Sequence, residues 1–359
     1  MPLRTFAQQA RLRLHVDRLC GAAPAALRSW LISDAAWAIW LGGCWLSLLL
    51  LPKDAARGEE APAVIMPPDG LAVLQRKAAA NARRLAAGVR HSVAVRDDGK
   101  LRCWGVKENY SDDNVDVPIE RVRPWQCSAV AVNNHRTLAL LRRDGGVLLW
   151  ENQQVVGMID EGAIDIAAAF GHFLILKKDG TVVYQGNNMM QEAPPPDAVG
   201  PYTAVAAGHF FSALLRKGGI DFFGNNSDGQ APPEGLDGDF AAVSCGGKFT
   251  LALHTDGRIL CLGDNEYGQA PSEGVTSGPF VAIAAGYRHS LALRADGSVA
   301  CFGDNRAGQA PPTGRAGPYI AVAAGAVHSL GLRADGHVDC WGSANESGMA
   351  PPEGVDINA

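Results

Sequence analysis

A repeat with a period of about 39 residues limits the folds open to this chain more than any other feature of the sequence. The spacings between successive copies of one turn glycine are 46, 35, 38, 39, 40 and 39 residues, and the longest coincides with an acidic insertion at 106–124. A fixed period of this size is typical of solenoids and propellers, and seven such units fill residues 83–355. The turn glycines are Gly99, Gly145, Gly180, Gly218, Gly257, Gly297 and Gly336.

Each unit alternates in hydrophobicity with a period of two, as strands do, and none contains a ten-residue amphipathic helix. In the clearest unit, 278–312, the apolar runs are FVAIAAG, HSLALRA and SVACFG. The Asp-Gly pair between the second and third runs suits a tight hairpin, and the Pro-Pro pair after the third limits the fourth to a short edge strand or a linker. The sequence therefore predicts an all-β, seven-bladed β-propeller over 83–355, followed by a tail at 356–359.

The repeat AAGYRHSLALRADGSVACFGDNRAGQAPP resembles those of the regulator of chromosome condensation superfamily, and its short period looks most like the propeller-type β-lactamase inhibitor proteins. One column, an aromatic residue or Leu followed by Gly, contains Trp104, Phe223, Leu262, Phe302 and Trp341; another, Gly-Gln, begins at Gly229, Gly268 and Gly308. The resemblance implies a propeller that binds other proteins. The exchange-factor members of the superfamily resemble one another in an inserted wedge, and the only insertion here is the short one at 106–124, which argues against exchange activity.

The first 82 residues do not share the repeat. Residues 1–29 are Arg-rich and poor in acids, a pattern typical of a targeting segment. From Trp30 to Leu51 run 22 residues with one ionisable group; as a helix they would span about 33 Å, against about 30 Å for a hydrocarbon core. We therefore expect a transmembrane helix at 30–51, and then a Pro-rich linker and short helix at 52–82.

The charge around the predicted span keeps the N-terminus on the cytosol-like or matrix-like side, so that the large domain crosses the membrane. An Arg-rich leader also favours import into an organelle. The prediction is thus a single-pass protein of an organellar membrane, mitochondrial or plastid, and the alternative is a type II protein of the secretory pathway. Its bilayer contact is Trp30–Leu51.

Catalytic signatures are missing from the sequence: it has no GxxxxGK[ST], GxSxG or HExxH motif. One repeat position contains His91, His172, His289 and His328. Since a repeat position recurs first for structural reasons, we interpret these histidines as hydrogen-bonded structural groups and not as metal ligands. We predict no enzyme activity, no cofactor and no metal.

A second column consists of cysteines and is also interpreted as structural. Equivalent positions in different blades lie too far apart for disulfides, so these thiols act as small buried apolar groups. The column contains Cys103, Cys261, Cys301 and Cys340.

The remaining candidates lie on a surface, because the first and third turns of a four-stranded blade share one face. The first turns supply a basic and aromatic ring of candidate partner-binding residues, and the third turns supply an acidic rim. Mixed charge with aromatics suits protein recognition, whereas a formal net charge of -5 excludes a general nucleic-acid binder. The ring residues are Arg90, His135, Arg136, His209, Phe210, Lys248, Tyr287 and Arg288.

Two functional hypotheses follow from these predictions. The first is a non-catalytic, membrane-anchored propeller that acts as a protein-interaction scaffold, as an accessory subunit of an organellar membrane complex. The second is a regulator of a separate protein, either an inhibitor-like binder or a guanine-nucleotide exchange factor. The predicted span favours the first, because a fixed location suits assembly more than encounters in solution.

Overall fold

The computed structural model describes residues 39–41, 44–46, 69–89, 91–105, 126–132, 137–151, 154–196, 198, 200–275, 277–343 and 357. The chain divides into two compact units, Met1–Ile65 and Met66–Ala359. The targeting segment at 1–29 and the acidic insertion at 106–124 lie outside the described residues.

In the first unit, the described residues of the predicted span form strands and not a helix. Strand β1, Ile39–Leu41, pairs antiparallel with β2, Cys44–Leu46, in a register that pairs Trp40 with Trp45 along the backbone. The physical reason is in the sequence: Gly42-Gly43 separates the two strands, and this pair disfavours helix and favours two-residue hairpins. Across the described part of the chain, no helix has the length and apolarity needed to cross a membrane.

The second unit consists of antiparallel sheets that follow one another along the chain. We number them blade 1 to blade 7. Blade 1 contains β3 Leu85–Ala87, β4 His91–Val95 and β5 Leu101–Gly105; blade 2 contains β6 Cys127–Val132, β7 Thr137–Arg142, β8 Val147–Glu151 and β9 Gln154–Ile159. Blade 3 contains β10 Ala163–Ala169, β11 His172–Lys177 and β12 Val182–Gly186.

The next four blades repeat this arrangement. Blade 4 contains β13 Tyr202–Gly208, β14 Phe211–Arg216, β15 Gly219–Gly224 and β16 Leu236–Asp237; blade 5 contains β17 Phe240–Cys245, β18 Phe249–His254 and β19 Ile259–Gly263. Blade 6 contains β20 Phe280–Ala285, β21 His289–Arg294 and β22 Val299–Gly303; blade 7 contains β23 Tyr319–Ala324, β24 His328–Arg333 and β25 Val338–Gly342.

The Asp-Gly turns form the predicted hairpins between the second and third strands. In blade 6, Asp296 Oδ1 accepts a hydrogen bond from the Ser298 amide at 2.8 Å, and Gly297 adopts a φ of 83°. A side chain at Gly297 would also place its Cβ 2.9 Å from Pro318 Cα. Glycine is therefore required both by the turn and by the close approach of the next blade.

In blades 4, 5 and 6, where prolines follow the third strand, the fourth strand is short, as the sequence predicts. Blades 5 and 6 retain only the single bridges Ile259↔Val275 and Val299↔Arg315. Blade 2 differs, because Asn152-Gln153 replaces the proline-containing loop and β9 forms a full outer strand.

The core lies between the blades. Among the described residues, the buried apolar side chains form seven clusters, each shared by two neighbouring blades. One of them joins blade 7 to blade 1 and contains Leu85, Trp104, Leu330 and Ile357. Since the last blade packs on the first, the ring is closed and the predicted seven-bladed propeller is confirmed.

Ile357 completes this closure. Its side chain is fully buried, its amide donates to Gly336 O in blade 7 at 3.0 Å, and its carbonyl accepts from the Asp97 amide in blade 1 at 2.9 Å. In other blades, two adjacent residues make the equivalent bonds: in blade 2, Cys127 N donates to Gly99 O at 2.8 Å and Gln126 O accepts from the Arg143 amide at 2.9 Å. Ile357 thus lies at the start of the inner edge of blade 1, which Leu85–Ala87 continues.

The two faces of the propeller differ. We call the face with the first turns and third loops the upper face, and the face with the Asp-Gly turns the lower face. Helix α1, Gly70–Ala82, packs on the inner strands of blades 5, 6, 7 and 1. Its buried Gln75 donates from Nε2 to His254 O at 3.1 Å and to Phe280 O at 3.4 Å, and both carbonyls are at the lower face.

The residue after α1 extends this cover across the channel. Arg83 forms an ion pair with Asp165 of blade 3, Nε to Oδ1 3.2 Å, and its carbonyl accepts from the Val130 amide of blade 2 at 2.9 Å. Burial raises the pKa of Asp165, and the neighbouring Arg83 opposes that rise. Together α1 and Arg83 cover the lower end of the central channel, while no described helix lies over the upper end.

Candidate partner-binding face

A belt of hydrogen bonds links neighbouring blades below the upper face. His289 Nε2 lies 2.8 Å from Ser329 Oγ in the next blade, and Ser329 Oγ donates to Gln309 O at 2.9 Å. Because the serine proton is used in that bond, Ser329 accepts from His289, so Nε2 has the histidine proton. His328 and Ser92 make the same contact at 2.8 Å, and His172 and Ser212 make it at 3.3 Å.

The histidines of this belt are neutral. Burial lowers the pKa of His91, His172 and His328 to about 4 and that of His289 to about 3. In three of the four repeats the structural interpretation is therefore confirmed by a bond to the next blade. No group of three or more metal-binding side chains occurs within the described ranges.

Two blades replace the histidine with phenylalanine. Phe211 and Phe249 are fully buried, and each ring lies under a glycine, as the histidine rings do. A Cβ at Gly208 would lie 2.1 Å from the Phe211 ring, and a Cβ at Gly325 would lie 2.6 Å from the His328 ring. The position therefore accepts either a histidine or a phenylalanine ring, which is consistent with a packing role.

The cysteine column is buried or half-buried, as predicted. Cys261 and Cys301 are each at most 8% exposed, and burial raises the pKa of both thiols to about 11. Burial likewise raises the pKa of Cys103 to about 12. These groups stay protonated at neutral pH and are poor nucleophiles.

The upper face is assembled by two sets of backbone bonds. Within a blade, the third loop bonds to the first turn: Asp304 N donates to Arg288 O at 2.9 Å, and Asp264 N donates to Lys248 O at 2.9 Å. Between blades, Tyr287 N donates to Gly325 O at 3.1 Å. These bonds place the first turns at the mouth of the channel and the third loops around them.

Aromatic side chains cluster at this mouth. His209 lies against Phe170 with ring centroids 4.7 Å apart and against Phe210 at 4.2 Å, and Phe170 and Phe210 lie 5.3 Å apart. Tyr287 reaches His209 from two blades away, at 6.3 Å. It can do so because Gly247 lies between them, where a Cβ would come within 3.0 Å of the tyrosine ring.

Phe210 has a strained backbone. Its φ is 66°, in the left-handed region that bulky residues rarely adopt, at a cost of order 1–3 kcal/mol. The side chain is only partly buried, so core packing does not require phenylalanine there. Strain of this kind concentrates at functional sites.

Beside the aromatic cluster, arginines and tyrosines are stacked. Arg288 lies over the Tyr267 ring at 4.8 Å and over the Tyr287 ring at 5.6 Å, and Arg306 lies over Tyr267 at 5.1 Å. The third loop holds Tyr267 in place, because buried Gln269 accepts its amide hydrogen bond through Oε1 at 2.8 Å. This explains the Gly-Gln column: the glutamine shapes the loop that presents Tyr267.

Two described carboxylates of the acidic rim, Asp228 and Asp304, are paired with cations. Asp304 binds Arg306 through both oxygens, at 2.9 and 2.7 Å, and hydrogen bonding to Arg306 lowers the pKa of Asp304. Asp228 Oδ2 lies 3.4 Å from Lys248 Nζ. Among the described residues Arg288 has no ion pair within 4.0 Å, although its charge also lowers the pKa of Asp304.

Of the eight ring residues named from the sequence, the structure brings five to the upper face: His209, Phe210, Lys248, Tyr287 and Arg288. Arg90, His135 and Arg136 lie outside the described residues. Sequence reasoning missed Phe170, Tyr267 and Arg306, and also the exposed Met189 and Met190 of the blade 3 loop. Phe170 follows an Ala-rich strand and Tyr267 precedes Gly-Gln, so both could have been found by aligning turns instead of strands.

Comparison with known proteins supports the repeat type. The model described as "Regulator of chromosome condensation (RCC1) repeat" matches residues 83–111, 240–269, 280–309 and 319–348, which are in blades 1, 5, 6 and 7. Blades 2, 3 and 4 are not matched, and blades 2 and 3 depart most from the pattern. Among curated proteins, no significant match is found.

Solved structures show the same fold. The ectodomain of the Arabidopsis thaliana receptor kinase ACR4 matches with a TM-score of 0.55 at 16% identity, over 76% of this chain and 98% of that one. Human WBSCR16 matches with a TM-score of 0.55 at 17% identity, over 69% and 85%. The ectodomain of the Physcomitrella patens receptor kinase CR4 matches with a TM-score of 0.51 at 26% identity, over 59% of this chain and 63% of that one, less than two thirds of its length.

Proposed function

We propose that this propeller, whose repeats are of the RCC1 type, is a non-catalytic protein-interaction module that binds its partner with the upper face. The observation that carries the proposal is the asymmetry of the channel. α1 and Arg83 cover the lower end, whereas Phe210, His209 and Tyr287 lie at the upper end. Aromatic residues accessible to solvent beside arginine are the composition that interfaces favour.

We further propose that the module is an accessory subunit of an organellar membrane complex. The support is in the sequence: the Arg-rich segment 1–29 and the apolar segment 30–51 precede the propeller. In the propeller, the chain enters at the lower face through α1.

A regulator of a separate protein is the second candidate function. It is favoured by the four matches to a repeat whose description is that of a regulator. An inhibitor-like binder would use the same aromatic face, and an exchange factor would bind a small GTPase. Both require a partner that dissociates, whereas a scaffold requires one that co-purifies.

Site-specific cross-linking tests the proposed function. A photoreactive residue replaces Phe210 on the upper face or, as the control, exposed Lys217 in a lower turn. We expect cross-links to one protein species from position 210 in native membranes, and none to that species from 217. Equal cross-linking from both positions would show that the upper face is not the binding face, and a soluble cross-linked protein would favour the regulator.

A further inference from the structure

We propose that the partner docks with a carboxylate side chain on Arg288 and an adjacent apolar side chain at the aromatic mouth. This inference rests on the proposed function and specifies the chemistry of its partner: a protein segment in which Asp or Glu stands next to a large apolar residue.

The side chain of Arg288 is preorganised to bind an anion. Its guanidinium lies 4.8 Å from the ring centroid of Tyr267 and 5.6 Å from that of Tyr287. This stacking restricts the side chain before the partner binds, so that binding costs less conformational entropy. A planar guanidinium fixed in this way can donate two parallel hydrogen bonds to one carboxylate.

The neighbouring cations are already satisfied. Arg306 is bound bidentately by Asp304, and Lys248 is paired with Asp228. Arg288 is thus the cation of the described upper face that has no carboxylate within 4.0 Å, although Asp304 lies near enough to feel its charge. A partner carboxylate would supply the missing ion pair.

The apolar subsite lies on the other side of Tyr287. Tyr287 is 38% exposed and contacts both Arg288 and His209, so it joins the cation to the aromatic cluster. Phe170 and Phe210 complete a mouth that an apolar side chain would cover. A carboxylate and an apolar side chain on adjacent residues of the partner can therefore contact Arg288 and the aromatic mouth at the same time.

The acidic rim sets a limit on the partner. Exposed Glu266 and half-buried Asp264 lie in the same loop as Tyr267. A long polyacidic segment would be repelled by them, whereas a single carboxylate flanked by neutral or basic residues would not.

A peptide display experiment tests the inference. The full-length chain in mild detergent selects from a library of random 12-residue peptides, in parallel with R288Q, R288K and the control R258Q. Arg258 is an exposed arginine in a lower turn, where it is paired with Asp256 at 2.7 Å. The affinity of one selected peptide, and of its amide version with Asp→Asn or Glu→Gln, is then measured by fluorescence anisotropy.

We expect the wild type and R258Q to select Asp or Glu within two positions of Phe, Leu or Met, and R288Q to lose the acidic preference. R288Q should weaken binding of the carboxylate peptide about tenfold and leave binding of the amide version unchanged. R288K should weaken binding of the carboxylate peptide less than R288Q does, because lysine retains the charge but not the planar guanidinium. Absence of any acidic preference, or R288Q selecting as the wild type does, would overturn the inference. Cross-linking from position 210 would stand in that case, so that failure here is distinct from failure of the proposed function.

Discussion

Acid should unfold this propeller through its histidine belt. Each belt histidine is neutral in the fold because burial lowers its pKa from 6.5 to about 4, and to about 3 for His289. The unfolded chain binds these protons at pH 6.5, and the folded chain binds them only near pH 4. The stability from each histidine is therefore fully present above pH 6.5 and is lost as the pH falls toward 4.

The size of the effect follows from the shifts. A histidine with pKa values of 6.5 unfolded and about 4 folded removes about 2 kcal/mol of stability between pH 7 and pH 5. Four such groups would remove roughly 8 kcal/mol, which is comparable to the whole stability of a typical domain. We expect the wild-type chain to lose most of its stability by pH 5.

The test is His328→Phe, a replacement that blades 4 and 5 already contain as Phe211 and Phe249. At pH 7 the variant loses the bond to Ser92, worth about 1 kcal/mol. Between pH 7 and 5 it should lose about 2 kcal/mol less stability than the wild type, because one titrating group is gone. Urea unfolding at both pH values, followed by fluorescence of buried tryptophans such as Trp104 and Trp341, measures both differences.

His337→Asn is the matched control, because His337 is exposed on a lower turn. It should retain the full acid sensitivity of the wild type. If His328→Phe also retained it, the belt histidines would not be the titrating groups and the reasoning would be refuted.

Three further predictions concern the fold and the face. Cys261 and Cys301 should react with a thiol reagent only after denaturation, since both thiols are buried and protonated; rapid labelling of the native chain would contradict the strand register. Ile357→Ala should cost about 2–4 kcal/mol of unfolding free energy and Val73→Ala, on the exposed side of α1, much less, as measured by urea unfolding. Phe210→Asn should change the free energy of unfolding by less than about 1 kcal/mol, because Asn tolerates the left-handed backbone. The same change should abolish cross-linking of the partner by a photoreactive residue placed at position 287. An unchanged cross-link would show that Phe210 is not part of the interface.

The sequence predicted the repeating parts of the fold because two local signals agreed in each unit. The alternation in HSLALR and the Asp-Gly pair after it independently define one hairpin, and the structure contains it as β21 and β22. The outer strand of blade 2 was harder to foresee, since β9 depends on a loop that departs from the repeat. The apolar segment at 30–51 was interpreted by length and hydropathy, which do not weigh the Gly42-Gly43 pair between β1 and β2.

The candidate face was predictable in position but not in pairing. Turn geometry places Lys248 and Arg288 on one face, and this placement could be predicted from the sequence. Asp304 binds Arg306 of its own loop, whereas Arg288 of the same blade stacks on Tyr267 of blade 5, a contact between two repeats. No pattern within one repeat contains that information.

The position of Ile357 has a consequence for how the molecule comes into being. About 270 residues separate Ile357 from Leu85, its neighbour in the cluster between blades 7 and 1. Bringing them together costs about 5 kcal/mol of loop-closure entropy, and only the packing of the finished ring offsets it. During synthesis or translocation the first blade gains its contact with Ile357 only after blades 2 to 7 have been made. Until then one flank of blade 1 and one of blade 7 expose apolar surface, so the growing chain needs protection from aggregation until the segment that contains Ile357 has been made.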